Sequence, residues 1–252
     1  MGKIALAFSG GVDSTFLLAL AKQAGPEKIL AVTVASQFFT REEKQLAKQI
    51  ADSLGVAHVC LDLDMLGLEE VVQNTPQRCY FCKARVFSQV RKTAIQQGID
   101  TFLHAVNMDD LGDFRPGLEA AKELGFIAPL VDAGFSKKEI RACSRQMGLK
   151  TWNLPSQSCL ATRIPYHDRI TREKLEMVYQ GESFLRKLGF NNFRVRCHGT
   201  MARIEMDPGI FSSLVDEDTR RTISRGLKKI GFEYVACDLD AYKTGNMNKS
   251  KR

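Results

Sequence analysis

Short apolar runs alternate with helical stripes along the first two thirds of the chain. Residues 5–8, Ala-Leu-Ala-Phe, are an apolar run of strand length, and 16–21, Phe-Leu-Leu-Ala-Leu-Ala, read as a helix. Residues 28–34 predict a second strand, ending near Ser36. Residues 41–54 predict a helix, with Leu46, Ile50 and Leu54 at helical spacing and a stop at Gly55; 56–63 predict a third strand. A short helix over 66–72 runs to a break at Asn74-Thr75-Pro76, and a further helix follows the block 78–83 as far as Gly98. Residues 101–106 read as a fourth strand, 118–124 as a helix and 127–130 as a short last strand. Ser136 and Glu139 then open a helix with a capping-box pattern that ends at Gly148. This alternation predicts an α/β fold with a doubly wound, mostly parallel sheet.

Beyond a linker rich in turn formers the pattern changes. Residues 171–188 are a long amphipathic helix, 193–197 and 202–206 strands of alternating polarity, 219–230 a helix and 234–239 a strand, which suggests a small α+β domain. The expected division is a domain over 1–165, a smaller domain over 166–242 for substrate binding or oligomerisation, and a frayed basic tail over 243–252.

Between the first strand and first helix stands Ser9-Gly10-Gly11-Val12-Asp13-Ser14-Thr15. A strand-to-helix turn of this composition is a phosphate cradle. Glycines let the backbone approach an anion, the N–H groups of the first helical turn are unpaired, and the hydroxyls of Ser9, Ser14 and Thr15 add donors. The loop holds no lysine, which excludes the G-x-x-x-x-G-K-[ST] arrangement. A glycine pair alone is common in ordinary βα turns; the whole string is far more specific.

Composition refines this only in part. The chain has 252 residues, 44% hydrophobic and 26% charged, long enough for one large domain with a companion. No apolar stretch reaches membrane-spanning length and no leader pattern precedes the first strand, so the expected location is the cytoplasm. The net charge of +7 favours anionic partners, but part of it sits in the tail, so charge alone argues weakly for nucleic acid. Seven cysteines, an odd number, point to free thiols, metal ligation or redox chemistry instead of a disulfide framework.

Cys79 and Cys82 form a C-x-x-C, which serves equally as half a zinc site, a redox dithiol or part of an iron–sulfur site. A structural zinc needs two more ligands at comparable spacing, and none stands nearby. Cys159 lies in a proline-flanked loop; a buried inert thiol is the usual fate of cysteine, but polar surroundings and the adjacent Arg163 favour a reactive one. Asp109, Asp110 and Asp113 follow the fourth strand. Singly each reads as part of a solvated acidic turn; as a group they suit Mg²⁺ against phosphates, or orientation of Arg115. Arg194 and Arg196 share one face of a strand, where two guanidiniums repel unless an anion lies between them. Either they grip a bound anion, or they pair with Glu205 or Glu182 on a sheet face.

The string Ser9 to Ser14 resembles the signature of the PP-loop, or N-type, ATP pyrophosphatases. Together with the blocks 78–83, 107–117 and 155–165, and with Phe193-Arg194-Val195-Arg196 and Ala202-Arg203-Ile204-Glu205, the chain resembles one branch of them, the LarE family of ATP-dependent sulfur transferases. Cys159-Leu160-Ala161-Thr162-Arg163-Ile164-Pro165-Tyr166 is the discriminating part. The resemblance implies that ATP with Mg²⁺ adenylates a carboxylate of pyridinium-3,5-biscarboxylic acid mononucleotide and that sulfur displaces AMP to give a thiocarboxylate. It implies ATP contacts at Ala7, Ser9, Gly10, Gly11, Val12, Asp13, Ser14 and Ser36, Mg²⁺ at Asp109 and Asp110, substrate contacts at Arg163, Arg194 and Arg196, and catalysis at Cys159. Two sulfur sources fit the family: sacrifice of the Cys159 sulfur, or a [4Fe–4S] cluster on Cys79, Cys82 and Cys159. The second is preferred because two extra thiols have no role in the first. A sulfur-donor protein and a homo-oligomer are the expected partners, with no membrane and no nucleic acid. A PP-loop tRNA thiolase and an amide-forming ligase of the NAD or GMP synthetase kind are the alternatives. One departure stands out: His167 occupies a position where the family has glycine.

Overall fold

A computed structural model describes residues 2–112, 116–155, 158–207, 209, 214, 216–240 and 242. Asp113, Arg115 and the tail over 243–252 lie outside the described residues. The chain forms two compact units, Met1–Met65 with Gln77–Gln157, and Leu66–Pro76 with Ser158–Arg252.

In chain order the elements are β1 (Lys3–Ala7), α1 (Val12–Gln23), β2 (Lys28–Ala35), α2 (Arg41–Ser53), β3 (Ala57–Asp62) and α3 (Glu69–Val72). Next come α4 (Arg78–Gln96), β4 (Thr101–His104), a 3₁₀ turn Met108–Gly112, α5 (Pro116–Glu123), β5 (Phe126–Ile127), α6 (Pro129–Asp132) and α7 (Lys137–Gln146). A 3₁₀ turn Leu160–Arg163, α8 (Arg172–Lys187), β6 (Arg194–His198), β7 (Met201–Glu205), α9 (Glu217–Ile230) and β8 (Tyr234–Cys237) complete the chain.

The first unit holds a five-stranded sheet in the order β3-β2-β1-β4-β5, every pair parallel. Alternate side chains feed two cores. Leu6 and Leu103 pack with Phe16 of α1, Ala47 of α2 and Ile140 of α7, while Ala5, Val32 and Phe102 pack with Phe87 and Val90 of α4 and Ala121 of α5. Helices therefore cover both faces, as a doubly wound sheet requires. The strand order reverses between β1 and β4, so the loops after these strands flank the crevice where such sheets take ligands.

Several boundaries differ from expectation by one to three residues, β1 (Lys3–Ala7), α3 (Glu69–Val72) and β4 (Thr101–His104) among them, and two differences change the reading. The C-x-x-C does not precede the helix but lies within its first five residues, since α4 begins at Arg78. The last strand is Phe126–Ile127, because Pro129, with no N–H for a ladder, opens α6 instead. At α7 the expected capping box forms: Ser136 accepts from the Glu139 N–H and the Glu139 carboxylate accepts from the Ser136 N–H. Among the described residues no helix is long and apolar enough to cross a membrane.

The second unit has a three-stranded sheet, β6 antiparallel to β7 and β7 parallel to β8. Helix α9 approaches α8 closely: a Cβ on Gly226 meets the Phe184 ring at 2.1 Å. Residues 164–170 are fastened by buried Asn74, whose Nδ2 donates to the carbonyls of Ile164, Pro165 and Asp168 at 3.2, 2.6 and 3.0 Å. The His167 N–H donates back to the Asn74 carbonyl at 3.0 Å. In this turn His167 has φ +67°, the left-handed region. Glycine takes this torsion without strain, which makes His167→Gly a stabilising change. Left-handed backbone costs an L-residue roughly 1–2 kcal/mol, of which glycine's extra chain entropy returns roughly 0.5–1 kcal/mol. The melting temperature is expected to rise by about 1–4 °C in a thermal unfolding scan; a fall would mean that the imidazole itself holds the turn.

Candidate active site

The loop after β1 is built tightly. Gly10 takes φ +73° and is buried against α2, where a Cβ would lie 2.9 Å from the Ala47 Cα. Only a residue without a side chain fits both the torsion and the space. Gly11 is the N-cap of α1 and no side chain caps that helix, so its first-turn N–H groups remain available to an anion. The Ser9 and Ser14 hydroxyls are 3.0 Å apart, Ser14 Oγ donates to the Gly11 carbonyl at 3.2 Å, and the Gly11 N–H reaches Ser9 Oγ at 3.4 Å. Thr15, 2% exposed, carries a hydroxyl oxygen with no partner. Ala7 ends β1 and Val12 is buried at the start of α1. At the carboxyl end of β2, Ser36 opens a turn, its Oγ accepting from the Phe38 N–H at 3.2 Å.

Asp13 is held by a residue that the sequence gives no reason to single out. Lys137, the first residue of α7, donates to both Asp13 oxygens at 2.8 and 2.7 Å. Its own N–H donates to Asp109 Oδ2 at 2.8 Å, and the Met108 N–H reaches the Phe135 carbonyl at 2.9 Å. The loop after β4, the start of α7 and the first turn of α1 are thus tied together at the switch point. Asp110 Oδ2 accepts from the Asn107 N–H at 3.1 Å. Asp109 and Asp110 spend acceptor capacity on backbone N–H groups, and among the described residues no group of three or more His, Cys, Asp or Glu is placed to hold a metal ion.

Cys79 and Cys82 lie one turn apart on α4, both half-buried, and none of the seven cysteines is in a disulfide. Spacing of three residues puts both on one helix face. The buried Arg78 guanidinium lies 3.7 Å from Cys79 Sγ. A Cβ on Gly117 would sit 2.7 Å from Lys83 Cγ and 3.3 Å from the Cys79 carbonyl, so this turn packs directly on α5.

Cys159 belongs to the second unit, as N-cap of the turn Leu160–Arg163. Its carbonyl accepts from Thr162 Oγ1 at 2.8 Å and from Arg163 Nη1 at 3.2 Å. Arg163, 4% exposed, pairs side-on with Glu182: Nε to Oε1 at 2.8 Å and Nη2 to Oε2 at 3.1 Å. Burial opposes the Glu182 charge, but Arg163, Arg194 and Arg186 prevail and hold its carboxyl below the usual range. Arg196, 5% exposed, donates to the Thr162 carbonyl at 2.7 Å and to Glu205 Oε2 at 2.6 Å, while Arg203 opposite it on β7 takes Glu205 Oε1 at 2.9 Å. Glu205 thus lies between the Arg196 and Arg203 guanidiniums, while Arg194 of the same strand points to a different partner. Arg163 and Arg196 hold the Cys159 turn through its backbone, and removing either would take from a buried carboxylate its buried partner, leaving Glu182 to the more exposed Arg186 and Glu205 to the more exposed Arg203. Arg194 stacks 4.6 Å above the Tyr242 ring; burial, then the Arg163 charge, push its guanidinium below its ordinary value.

A parallel sheet with an anion cradle at its switch point, on this signature, defines a PP-loop enzyme that uses ATP, and the relatives make it a sulfur transferase. The sequence family described as queuosine biosynthesis protein QueC matches residues 3–77. A pyridinium-3,5-bisthiocarboxylic acid mononucleotide synthase of Lactiplantibacillus plantarum is 34% identical over 247 residues, 98% of this chain and 89% of that protein. An uncharacterized protein of Synechocystis sp. is 36% identical over 244 residues, 97% of this chain and 91% of its own. A tRNA-specific 2-thiouridylase, MnmA, of Rickettsia rickettsii is 26% identical over 190 residues, 60% of this chain and 52% of that enzyme. The chain belongs to the LarE family, that of the Lactiplantibacillus synthase.

Proposed function

We propose that this enzyme converts a carboxylate of pyridinium-3,5-biscarboxylic acid mononucleotide into a thiocarboxylate at the expense of ATP. The observation that supports it most is the similarity to the Lactiplantibacillus synthase over 98% of the chain, joined to an uncapped α1 N-terminus beneath the Ser9–Ser14 loop. In this reading Ala7, Ser9, Gly10, Gly11, Val12, Asp13 and Ser14 contact the ATP phosphates, Ser36 faces the nucleoside, and Lys137 supplies the positive charge that the loop itself lacks. Mg²⁺ joins through Asp109 or Asp110 together with phosphate oxygens. A carboxylate oxygen of the substrate attacks the α-phosphorus and pyrophosphate leaves, giving an acyl adenylate. A sulfur nucleophile then attacks the acyl carbon, and AMP departs with that oxygen.

Cys79, Cys82 and Cys159 are the donor set for a [4Fe–4S] cluster. Thiolates are the ligands such clusters require, and two of the three stand on one helical turn without a disulfide. When bound, the cluster would supply a transferable sulfide. Arg163 and Arg196 set the position of Cys159, and Arg194 is the guanidinium of this set that contacts the substrate. The functional division into residues 1–165 and 166–242, a cytoplasmic location, a sulfur-donor protein and a homo-oligomer belong to the same reading.

The test is turnover with ATP and the dicarboxylate nucleotide after anaerobic purification, followed by intact mass. AMP, pyrophosphate and thiocarboxylate from a brown, iron-containing protein of unchanged mass is the expected result. A polypeptide lighter by one H₂S means instead that Cys159 gave its own sulfur and became dehydroalanine. Pyrophosphate release without thiocarboxylate contradicts the proposal.

A further inference from the structure

The carbonyl of Phe8, the last before Ser9, is held from the neighbouring strand β2. β1 ends at Ala7, and beyond it the Phe8 N–H still reaches the Val32 carbonyl at 2.9 Å. Thr33 Oγ1, 6% exposed, lies 2.8 Å from the Phe8 carbonyl oxygen and 2.8 Å from His58 Nε2 on β3. A carbonyl has no hydrogen to give, so the Thr33 hydroxyl proton is committed to Phe8. Thr33 Oγ1 can then only accept from the imidazole, which places the hydrogen on His58 Nε2. The Phe8 ring meets the His58 ring edge-on, with centroids 6.1 Å apart. Burial keeps the imidazole below its ordinary value; of the charges on α2 that face it, Asp52 acts against this and Lys48 with it.

We infer that Thr33 and His58 are positioning residues for the phosphate loop, a hydrogen-bonded relay from β3 through β2 that sets the direction in which the chain leaves β1. The inference rests on the loop's being the ATP site. Two supports then fix the loop, Ala47 against Gly10 and this relay against Phe8. Neither Thr33 nor His58 touches a phosphate; both act by keeping the Gly10 and Gly11 N–H groups aimed, so their loss lowers ATP affinity and leaves affinity for the dicarboxylate unchanged.

The test uses α,β-methylene-ATP in calorimetry on the full chain at a temperature well below unfolding. Thr33→Val is expected to bind about tenfold more weakly, and Thr33→Ser, which keeps the hydroxyl, within about threefold of wild type. ¹⁵N spectra of the four histidines should show His58 with its proton on Nε2, a preference lost in Thr33→Val. Wild-type affinity in Thr33→Val with only a lower melting temperature overturns the relay, as does a proton on Nδ1. Wild-type protein that fails to bind the analogue overturns the ATP-site reading, and the relay's role with it.

Discussion

Cys159→Ala is expected to stop thiocarboxylate formation while pyrophosphate release on the first turnover persists. In the proposed function the thiol would belong to the sulfur step alone, whichever sulfur source operates, whereas adenylation would depend on the loop after β1. Its backbone is held from outside the side chain, by Thr162 Oγ1 and Arg163 Nη1 on the Cys159 carbonyl, so alanine leaves the turn in place. The expected loss in thiocarboxylate formation is at least about 10³-fold, the scale of removing a nucleophile or its carrier. A single-turnover experiment that follows pyrophosphate and thiocarboxylate separately checks it. Equal loss of both products would mean that Cys159 supports the fold or ATP binding instead.

Gly10→Ala is expected to weaken ATP binding by a different route. The new methyl meets the Ala47 Cα at 2.9 Å, which is backbone of α2 and cannot turn aside, and the residue must also keep φ +73°. Left-handed strain of roughly 1–2 kcal/mol and overpacking of typically about 1–3 kcal/mol act together. About 3 kcal/mol taken at the loop corresponds to roughly a hundredfold loss of affinity. Calorimetry with a non-cleavable ATP analogue measures it, and Gly25→Ala is the control: that glycine also has positive φ, but nothing lies within 4 Å of its would-be Cβ. Similar losses in both variants would indicate general destabilisation.

The order of strands and helices was legible because each spans a full period of its pattern, and the strand-to-helix turn carries its own glycines and hydroxyls. β5 shifted because a two-residue strand has no periodicity to read, and Pro129 turns the chain directly into α6. Pairings over long separation were not legible. Lys137 is 124 residues from Asp13, and only the packing of α7 beside α1 brings them together. The same holds for Arg163 with Glu182 and Arg196 with Glu205. The sequence shows charges that suit an external anion equally well, and burial to 4% and 5% exposure is what turns them into internal ion pairs. At His167 the departure from glycine was visible in the chain, but its meaning, a left-handed turn fastened by Asn74, required the backbone torsion.

In the proposed function the Ser9–Ser14 loop serves to make a carboxylate attackable by sulfur. Turnover of pyridinium-3,5-biscarboxylic acid mononucleotide carrying ¹⁸O in its carboxylates, followed by mass spectrometry of the released AMP, is the decisive measurement. One ¹⁸O per AMP, matched to one thiocarboxylate, is the result expected of an acyl adenylate displaced by sulfur. Unlabelled AMP beside thiocarboxylate would show that the carboxylate never attacked the α-phosphorus, and would contradict it.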